Sequence, residues 1–198
     1  MLGSTMKTLA NPRAGDIFYI PAIDGSSRGG FVLARYIDAI GKAGYLIEVF
    51  SKFYLVPPGK LSDVDTSQRL FRPIMCSMSF RNLPNWKILF HDSSYTKSQS
   101  SFDEIKISFD DEIWAGGKSS KATDRELAKH EPSICWRMDH LIFRVNSHLK
   151  GEFTADERYD YYRTPEKQDD PAAIAKVLEL TKEMAKKFES WDTVSVIK

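Results

Sequence analysis

The first candidate for a catalytic residue is a serine that stands between glycines. Gly25-Ser26-Ser27-Arg28-Gly29 fits the Gly-x-Ser-x-Gly pattern, in which Ser27 would be the nucleophile. That pattern needs a helix directly after the serine, because the strand-to-helix turn holds the serine oxygen exposed. Here Gly29-Gly30 leads into a second strand-like run, so we predict a hairpin loop and assign no catalytic residue.

Histidines could form a metal site if the fold brought them together. The chain contains four of them: His91, His130, His140 and His148. They show neither His-x-His nor His-Glu-x-x-His spacing, the patterns that place two ligands on one element. Asp92, Glu131 and Asp139 each adjoin one of them, so a site assembled in space stays open. The scattered spacing favours surface or hydrogen-bonded histidines, and we assign no metal ligand and no cofactor.

Two further sequence patterns could indicate a phosphate-binding loop or a nucleic-acid-binding surface. Gly116-Gly117-Lys118-Ser119 is like the end of a phosphate loop, but Glu112 stands where that pattern needs its first glycine, so we predict an exposed tip. Arg35-Tyr36, Lys52-Phe53-Tyr54 and the stretch 69–72 combine cations with aromatic rings that could stack on single-stranded nucleic acid. Ordinary sheet surface is the favoured interpretation, and a nucleic-acid-binding small β-barrel is kept as an alternative.

An acidic run beside a tryptophan is the candidate surface for a protein partner. Its members are Asp103, Glu104, Asp110, Asp111, Glu112 and Trp114. Carboxylates on one protein can cover the basic cleft of another, such as a nuclease. The alternative is a solvated sheet edge, where carboxylates discourage pairing with other strands.

Composition indicates an ordinary globular chain. Its 198 residues carry a net charge of +1, with 42% hydrophobic and 28% charged residues, which is enough for one sizeable core. We predict a single cytoplasmic domain over 1–198, with 1–12 disordered or left over from cloning. The balanced charge points to neither a membrane nor nucleic acid as partner. Cys76 and Cys135 lack metal-type spacing and are predicted to be reduced, mostly buried thiols.

The elements that must position any site begin with an antiparallel meander. Residues 17–20, 31–37 and 45–50 are rich in β-branched and aromatic side chains, and glycine-containing loops separate them. Trp86 opens another strand-like run, and 102–109 alternates well enough to predict a half-buried strand. Further on, 134–138 and 141–145 are interpreted as a late hairpin.

Helices are predicted toward the end of the chain. Thr123-Asp124-Arg125-Glu126 and Thr154-Ala155-Asp156-Glu157 both have the capping-box form that opens a helix. Over 170–192, Asp170 is a good N-cap, Pro171 suits the first helical position, and apolar residues recur at helical spacing. We therefore predict an α+β fold: a twisted antiparallel sheet or a small half-open β-barrel, with this amphipathic helix packed on it.

The order of the opening elements resembles the immunity protein 26 family of bacterial polymorphic-toxin systems. A Gly-Asp-x-Phe-x-x-Pro strand, a glycine-led strand with an arginine and a strand-opening tryptophan carry the likeness: Gly15, Asp16, Phe18, Pro21, Gly30, Arg35 and Trp86. The resemblance covers roughly residues 13–95, the predicted immunity-protein-like β core. It implies a non-enzymatic protein that neutralises a cognate toxin by covering its active site. A small organophosphate-hydrolysing enzyme is grouped with the same family, so a metal-dependent phosphotriesterase is the first alternative.

Overall fold

The centre of the fold is the antiparallel meander that the opening stretch predicts. A computed structural model describes residues 12–40, 44–77, 86–164 and 167–196. The strands of this part of the chain are β1 (Asp16–Ile23), β2 (Gly29–Ile40), β3 (Gly44–Tyr54), β4 (Ile74–Cys76), β5 (Ile88–Asp92), β6 (Lys106–Phe109), β7 (Glu112–Ala115), β8 (Lys118–Lys121), β9 (Glu131–Pro132), β10 (Cys135–Trp136) and β11 (Val194–Val196). Its helices are α1 (Asp124–Leu127), α2 (Met138–Leu149) and α3 (Pro171–Lys187). The segment 1–12, which was predicted to be disordered or left over from cloning, lies outside the described residues apart from Pro12.

The main sheet has seven strands in the order β10-β4-β3-β2-β1-β5-β11. Its central strands pair antiparallel, whereas β10 joins β4 and β11 joins β5 in parallel. Nearly every residue of β1 and most of β2 are buried, because both faces of these strands are covered. The sequence of a strand that is buried on both faces is a continuous apolar run, without alternation of polar and apolar residues. The predicted α+β class is confirmed, and the sheet is a twisted sheet and not a closed barrel within the described residues.

A smaller sheet packs on the main one through a second apolar cluster. Its strands follow the order β8-β7-β6-β9. The cluster joins residues of the main sheet to residues of the β6–β7 hairpin: Ile37, Leu46, Met75, Ile105, Ile107 and Trp114. The strand predicted over 102–109 is confirmed only for Lys106–Phe109, because Phe102–Glu104 forms a 3₁₀ turn ahead of it.

The last helix begins where it is predicted, but it ends at Lys187 and not at 192. The Asp170 carboxylate accepts a hydrogen bond from the Ala172 amide at 2.9 Å, which caps the helix, and Pro171 opens it. Val177, Thr181 and Met184 are buried on the face that covers the core. Beyond the helix, the Phe188 ring stacks on Tyr19 of β1 with a centroid distance of 4.3 Å. This contact fixes the end of α3 against the central strands.

The predicted late hairpin over 134–138 and 141–145 is wrong. Residues 138–149 form the helix α2, and only Cys135–Trp136 is a strand. Met138, Leu141, Ile142, Val145 and Leu149 recur at helical spacing, so the signal for a helix is present in the sequence. The hairpin interpretation placed a turn at 139–140 and divided this pattern into two short apolar runs, which periodicity alone cannot assign to strand or helix.

The two capping boxes have different outcomes. Thr123 and Glu126 form the complete box at the start of α1, as predicted. At the second box the Thr154 amide donates to Glu157 at 3.2 Å, but turns follow where a helix was predicted. The other oxygen of Glu157 pairs with Arg163, so the local hydrogen bond of a capping box forms here without a helix.

Candidate functional site

The positions that carry the family resemblance lie in the core of the fold. Phe18 and Trp86 are fully buried, and their rings stack with centroids 6.1 Å apart. Pro21 is buried in β1 opposite Phe31 of β2. At Gly30 an added Cβ would stand 2.5 Å from both the Phe53 ring and the Tyr54 carbonyl oxygen, so any side chain would clash there. These positions serve packing.

Gly15 and Asp16 organise the start of β1. Gly15 has a φ of +88°, and a Cβ there would approach the Asp92 carbonyl oxygen to 2.6 Å, so the position requires glycine. The Asp16 carboxylate is 1% exposed and accepts a hydrogen bond from the Arg13 amide at 2.7 Å. Its other oxygen lies 2.7 Å from Nδ1 of His91. The motif aspartate therefore joins the chain before β1 to the neighbouring strand β5.

Arg35 belongs to a buried polar network that we call the Glu48 cluster: Arg35, Glu48, Arg69, Tyr95 and Ser100. The Glu48 carboxylate accepts from Arg35 at 3.1 Å, from Arg69 at 2.8 Å and from the Ser100 hydroxyl at 2.6 Å. The Arg35 guanidinium lies 4.9 Å from the centre of the Tyr95 ring. This network ties β2 and β3 to two loops, around residues 69 and 95–100.

A serine next to a carboxylate invites comparison with a catalytic pair. Ser100 is fully buried, however, and Glu48 is 3% exposed. The serine donates to a carboxylate that already accepts from two guanidinium groups, so that carboxylate cannot act as a general base toward an entering substrate. We therefore assign the Glu48 cluster a structural role.

A second buried ion pair connects α2 to the small sheet. Arg144 NH1 donates to Glu131 Oε1 at 2.5 Å, and NH2 donates to Oε2 at 3.0 Å, a bidentate arrangement. The two side chains are 1% and 2% exposed. Aromatic rings surround the guanidinium, with Phe71 at 4.5 Å and Trp136 at 4.9 Å. Sequence analysis noted neither residue as part of a pair.

The histidines remain apart in the structure. His91 pairs with Asp16, while His140 Nε2 lies 3.8 Å from Asp139. His148 packs between the rings of Phe71 and Phe153. Throughout the described residues there is no group of three His, Cys, Asp or Glu side chains that could hold a metal ion.

His148 should make the stability of the protein depend on pH. Burial, assisted by the Arg144 charge, lowers the pKa of His148 from 6.5 to about 4. The unfolded chain therefore binds this proton first, and stability falls as the pH drops below 6.5 toward 4. We expect a loss of about 2 kcal/mol between pH 7 and pH 5 from this residue alone.

Urea unfolding of wild type and His148→Leu at both pH values measures this contribution. The variant should lose most of the slope and keep a smaller one, because burial also lowers the pKa of His130 and His140. An unchanged slope in the variant would contradict the assignment.

The structure divides the predicted acidic surface between two ends of one hairpin. Asp103 and Glu104 are exposed in the turn before β6, and Asp103 lies against Gly116. Asp110 and Asp111 occupy the opposite turn, between β6 and β7. There, Lys121 pairs with Asp111 and lies 3.8 Å from Glu112.

Trp114 does not join the acidic side chains on the surface. It is 8% exposed and packs edge to face on Phe102, with centroids 5.5 Å apart. Its indole therefore contributes to the second apolar cluster.

An exposed apolar side chain missed by sequence analysis lies near one of these acidic groups. Ile134 is 50% exposed and lies between two surface cavities of about 360 and 300 Å³. Pro132 and Arg158 line both cavities. Asp110 and Asp124 line the larger one. We call these five residues the Ile134 face.

The two glycine-rich loops are hairpin turns. Asp24 caps the first, accepting from the amides of Ser26 and Arg28 at 2.9 Å each. The Ser26 hydroxyl also donates to this carboxylate at 2.7 Å, and this bond, followed by that of the Arg28 amide, lowers the pKa of Asp24 to about 2. Gly116 and Gly117, both with positive φ, join β7 to β8. Neither loop leads into a helix, so the serine-nucleophile and phosphate-loop patterns lack their structural context.

The thiols and the helices add two further observations. Cys76 and Cys135 are both thiols and do not form a disulfide; Cys76 is buried, as predicted, whereas Cys135 is exposed. No helix among the described residues has the length and apolar character needed to cross a membrane.

Comparisons of the chain with protein-family models, curated proteins and solved structures found no match.

Proposed function

We propose that this protein is an immunity protein that binds a bacterial toxin and neutralises it by covering the toxin's active site. The resemblance of the motif Gly15 to Pro21, with Gly30, Arg35 and Trp86, supports this class of protein. Since those residues are engaged in the core, the outer surface is the part left to recognise a partner. The observation that carries the proposal is the Ile134 face, an exposed apolar side chain beside carboxylates.

The shape of this face suits a protein interface. Interfaces commonly have an apolar centre that is fully desolvated on binding, with polar groups around it. Ile134 is half exposed in the free protein, and a cavity lies on each side of it. A partner could bury the isoleucine and insert its own side chains into both cavities.

The charges around Ile134 favour a basic partner. Asp110 and Asp124 line the larger cavity against one cation, Arg158, and Asp111 follows Asp110 in the same turn. The ion pair of Asp111 with Lys121 is exposed and therefore contributes little to stability, so its carboxylate can turn to a partner's cation. Carboxylates at this rim would steer the basic cleft of a nuclease-type toxin onto the face.

The two alternatives have less support from the geometry. A phosphotriesterase needs metal-binding or acid–base groups that converge in an open cleft, and the buried carboxylates Glu48 and Glu131 are paired with arginines. A nucleic-acid-binding barrel needs a contiguous basic face. Arg35, which the sequence offered for that role, is buried and held by Glu48.

A growth-rescue assay tests the proposal. The chain is produced in cells that express the toxin expected from the gene directly upstream. Wild type should restore growth, whereas Ile134→Asp should weaken toxin binding by at least about 30-fold, the effect of a hot-spot residue worth roughly 2 kcal/mol. Val56→Asp is the matched control, because Val56 is a 72% exposed aliphatic residue that lines none of these cavities.

Two results would count against this proposal. Failure of the wild-type chain to protect would contradict the immunity function itself. Equal protection by wild type and Ile134→Asp, with equal affinity for the toxin, would remove the Ile134 face as the binding surface.

A further inference from the structure

A cleft formed by residues 69–73, 101–106 and 129–130 is lined by several positively charged side chains. It has a volume of about 450 Å³ and is lined by Arg69, Arg72, Lys106, Lys129 and His130. Glu104 is the one carboxylate among the lining residues. We call this site the basic cleft. It shares no lining residue with the cavities beside Ile134, so it goes beyond the proposed toxin-binding surface.

The two arginines of the basic cleft are held in place by other groups. Arg69 donates through Nε to Glu48 at 2.8 Å and through NH2 to the Ser100 carbonyl oxygen at 2.6 Å. Arg72 NH1 donates to the Lys129 carbonyl oxygen at 2.8 Å. Guanidinium groups that are already ordered lose less entropy when they bind an anion.

The two lysines contribute charge that the protein does not neutralise. Lys106 and Lys129 are exposed, and neither forms an ion pair with any residue in the described ranges. The arginines add two more cations, but Glu48 pairs with Arg69, and Asp156 lies 3.9 Å from Nε of Arg72. With Glu104, three carboxylates stand against four cations, so the excess of positive charge comes from the two lysines. Such an excess in a concave site attracts an anion.

His130 is affected by this positive potential. Burial lowers its pKa, and Lys106, Arg72 and Lys129 lower it further, while Glu126 acts in the opposite direction. An anion bound in the cleft would reverse the effect of the three cations. The protonation of His130 is therefore a direct probe of occupancy.

We propose that the basic cleft binds the phosphate group of a small phosphate monoester. Guanidinium groups match the oxygens of phosphate in geometry, and ammonium groups supply additional charge. The volume falls within the usual range for small-molecule sites. Glu104 provides an acceptor for a ligand hydroxyl group, which favours a phosphorylated polyol or sugar. Because the cations converge on one concavity, the site suits a small ligand better than the extended backbone of a nucleic acid.

Ribose 5-phosphate is a suitable probe, with ribose as the control without phosphate. Titration is followed by calorimetry and by the NMR signals of the His130 ring. We expect ribose 5-phosphate to bind and to raise the pKa of His130, and ribose to do neither. Lys129→Glu should weaken binding by about tenfold or more, because it replaces an attractive charge by a repulsive one.

Lys182→Glu is the matched control for Lys129→Glu. It makes the same change of net charge at an exposed position of α3 that does not line the cleft. Its affinity for ribose 5-phosphate should equal that of wild type, and circular dichroism should show both variants folded. Equal weakening in the two variants would mean that only the overall charge matters, which overturns the proposed site.

Two other results would also overturn the proposal. One is the absence of any effect of ribose 5-phosphate on His130. The other is binding of single-stranded oligothymidylate at the cleft without binding of ribose 5-phosphate, which would identify a nucleic-acid surface instead. Both are independent of the growth-rescue assay, so failure here leaves the proposed immunity function intact.

Discussion

Replacement of Arg144 by methionine is expected to lower the free energy of unfolding by about 3–5 kcal/mol, the usual cost of breaking a buried ion pair. The substitution leaves Glu131, which is 2% exposed, without its bidentate partner. Methionine replaces much of the volume between Phe71 and Trp136, so the loss reports mainly the uncompensated carboxylate. Chemical unfolding at neutral pH measures the difference.

Two comparisons separate this effect from a simple loss of packing. The double variant Arg144→Met/Glu131→Leu should be more stable than Arg144→Met, because no buried charge is left unpaired. Arg163→Met removes a similar arginine, which pairs with Glu157 at the surface and lies over Phe153, and it should cost less than about 1 kcal/mol. A loss below that value for Arg144→Met would show that the buried pair is unimportant for stability.

Replacement of Glu48 by alanine is expected to cost about 3–5 kcal/mol for a related reason. The carboxylate accepts from Arg35, Arg69 and Ser100, and Arg35 is only 7% exposed. Without Glu48 a buried guanidinium loses its counter-charge. Chemical unfolding measures the loss, and limited proteolysis should show faster cleavage in the 95–100 loop, which the network holds to β3.

Two substitutions calibrate the Glu48 prediction. Glu48→Gln should give an intermediate loss, because the amide oxygen still accepts but carries no charge. Glu179→Ala removes an exposed glutamate on α3 and should change stability by less than about 0.5 kcal/mol. If Glu48→Ala behaved like Glu179→Ala, the Glu48 cluster would not be a structural anchor.

These predictions bear on function because they give the buried charged groups a structural role. A protein that neutralises a toxin by binding needs a rigid framework and an accessible surface. The Glu48 cluster and the Arg144–Glu131 pair supply the first, since they join strands, loops and α2. The Ile134 face is the candidate for the second.

The meander and the last helix could be predicted from the sequence because their signals are local. The meander followed from apolar runs separated by glycine-containing loops, and α3 followed from Asp170, Pro171 and helical spacing. Both signals depend on residues close together in the chain. The α2 helix also has apolar residues at helical spacing, but the hairpin interpretation placed a turn at 139–140 and divided them into two short runs.

The candidate surfaces could not be derived from sequence because they depend on distant contacts. The acidic run looked continuous, but β6 and β7 place its members at both ends of a hairpin, and Trp114 turns into the core. The buried ion pairs left one usable clue. Arg35, Glu48 and Arg144 are single charges inside apolar runs, and a charge in such a run is expected to have a buried partner.

Inhibition of the purified toxin by the purified protein is the most direct test of the central claim. Toxin from the neighbouring gene is assayed for its own activity while the protein is added in increasing amounts. The account predicts loss of toxin activity that is complete at a one-to-one ratio, with no metal added. Full toxin activity in the presence of excess folded protein would contradict it.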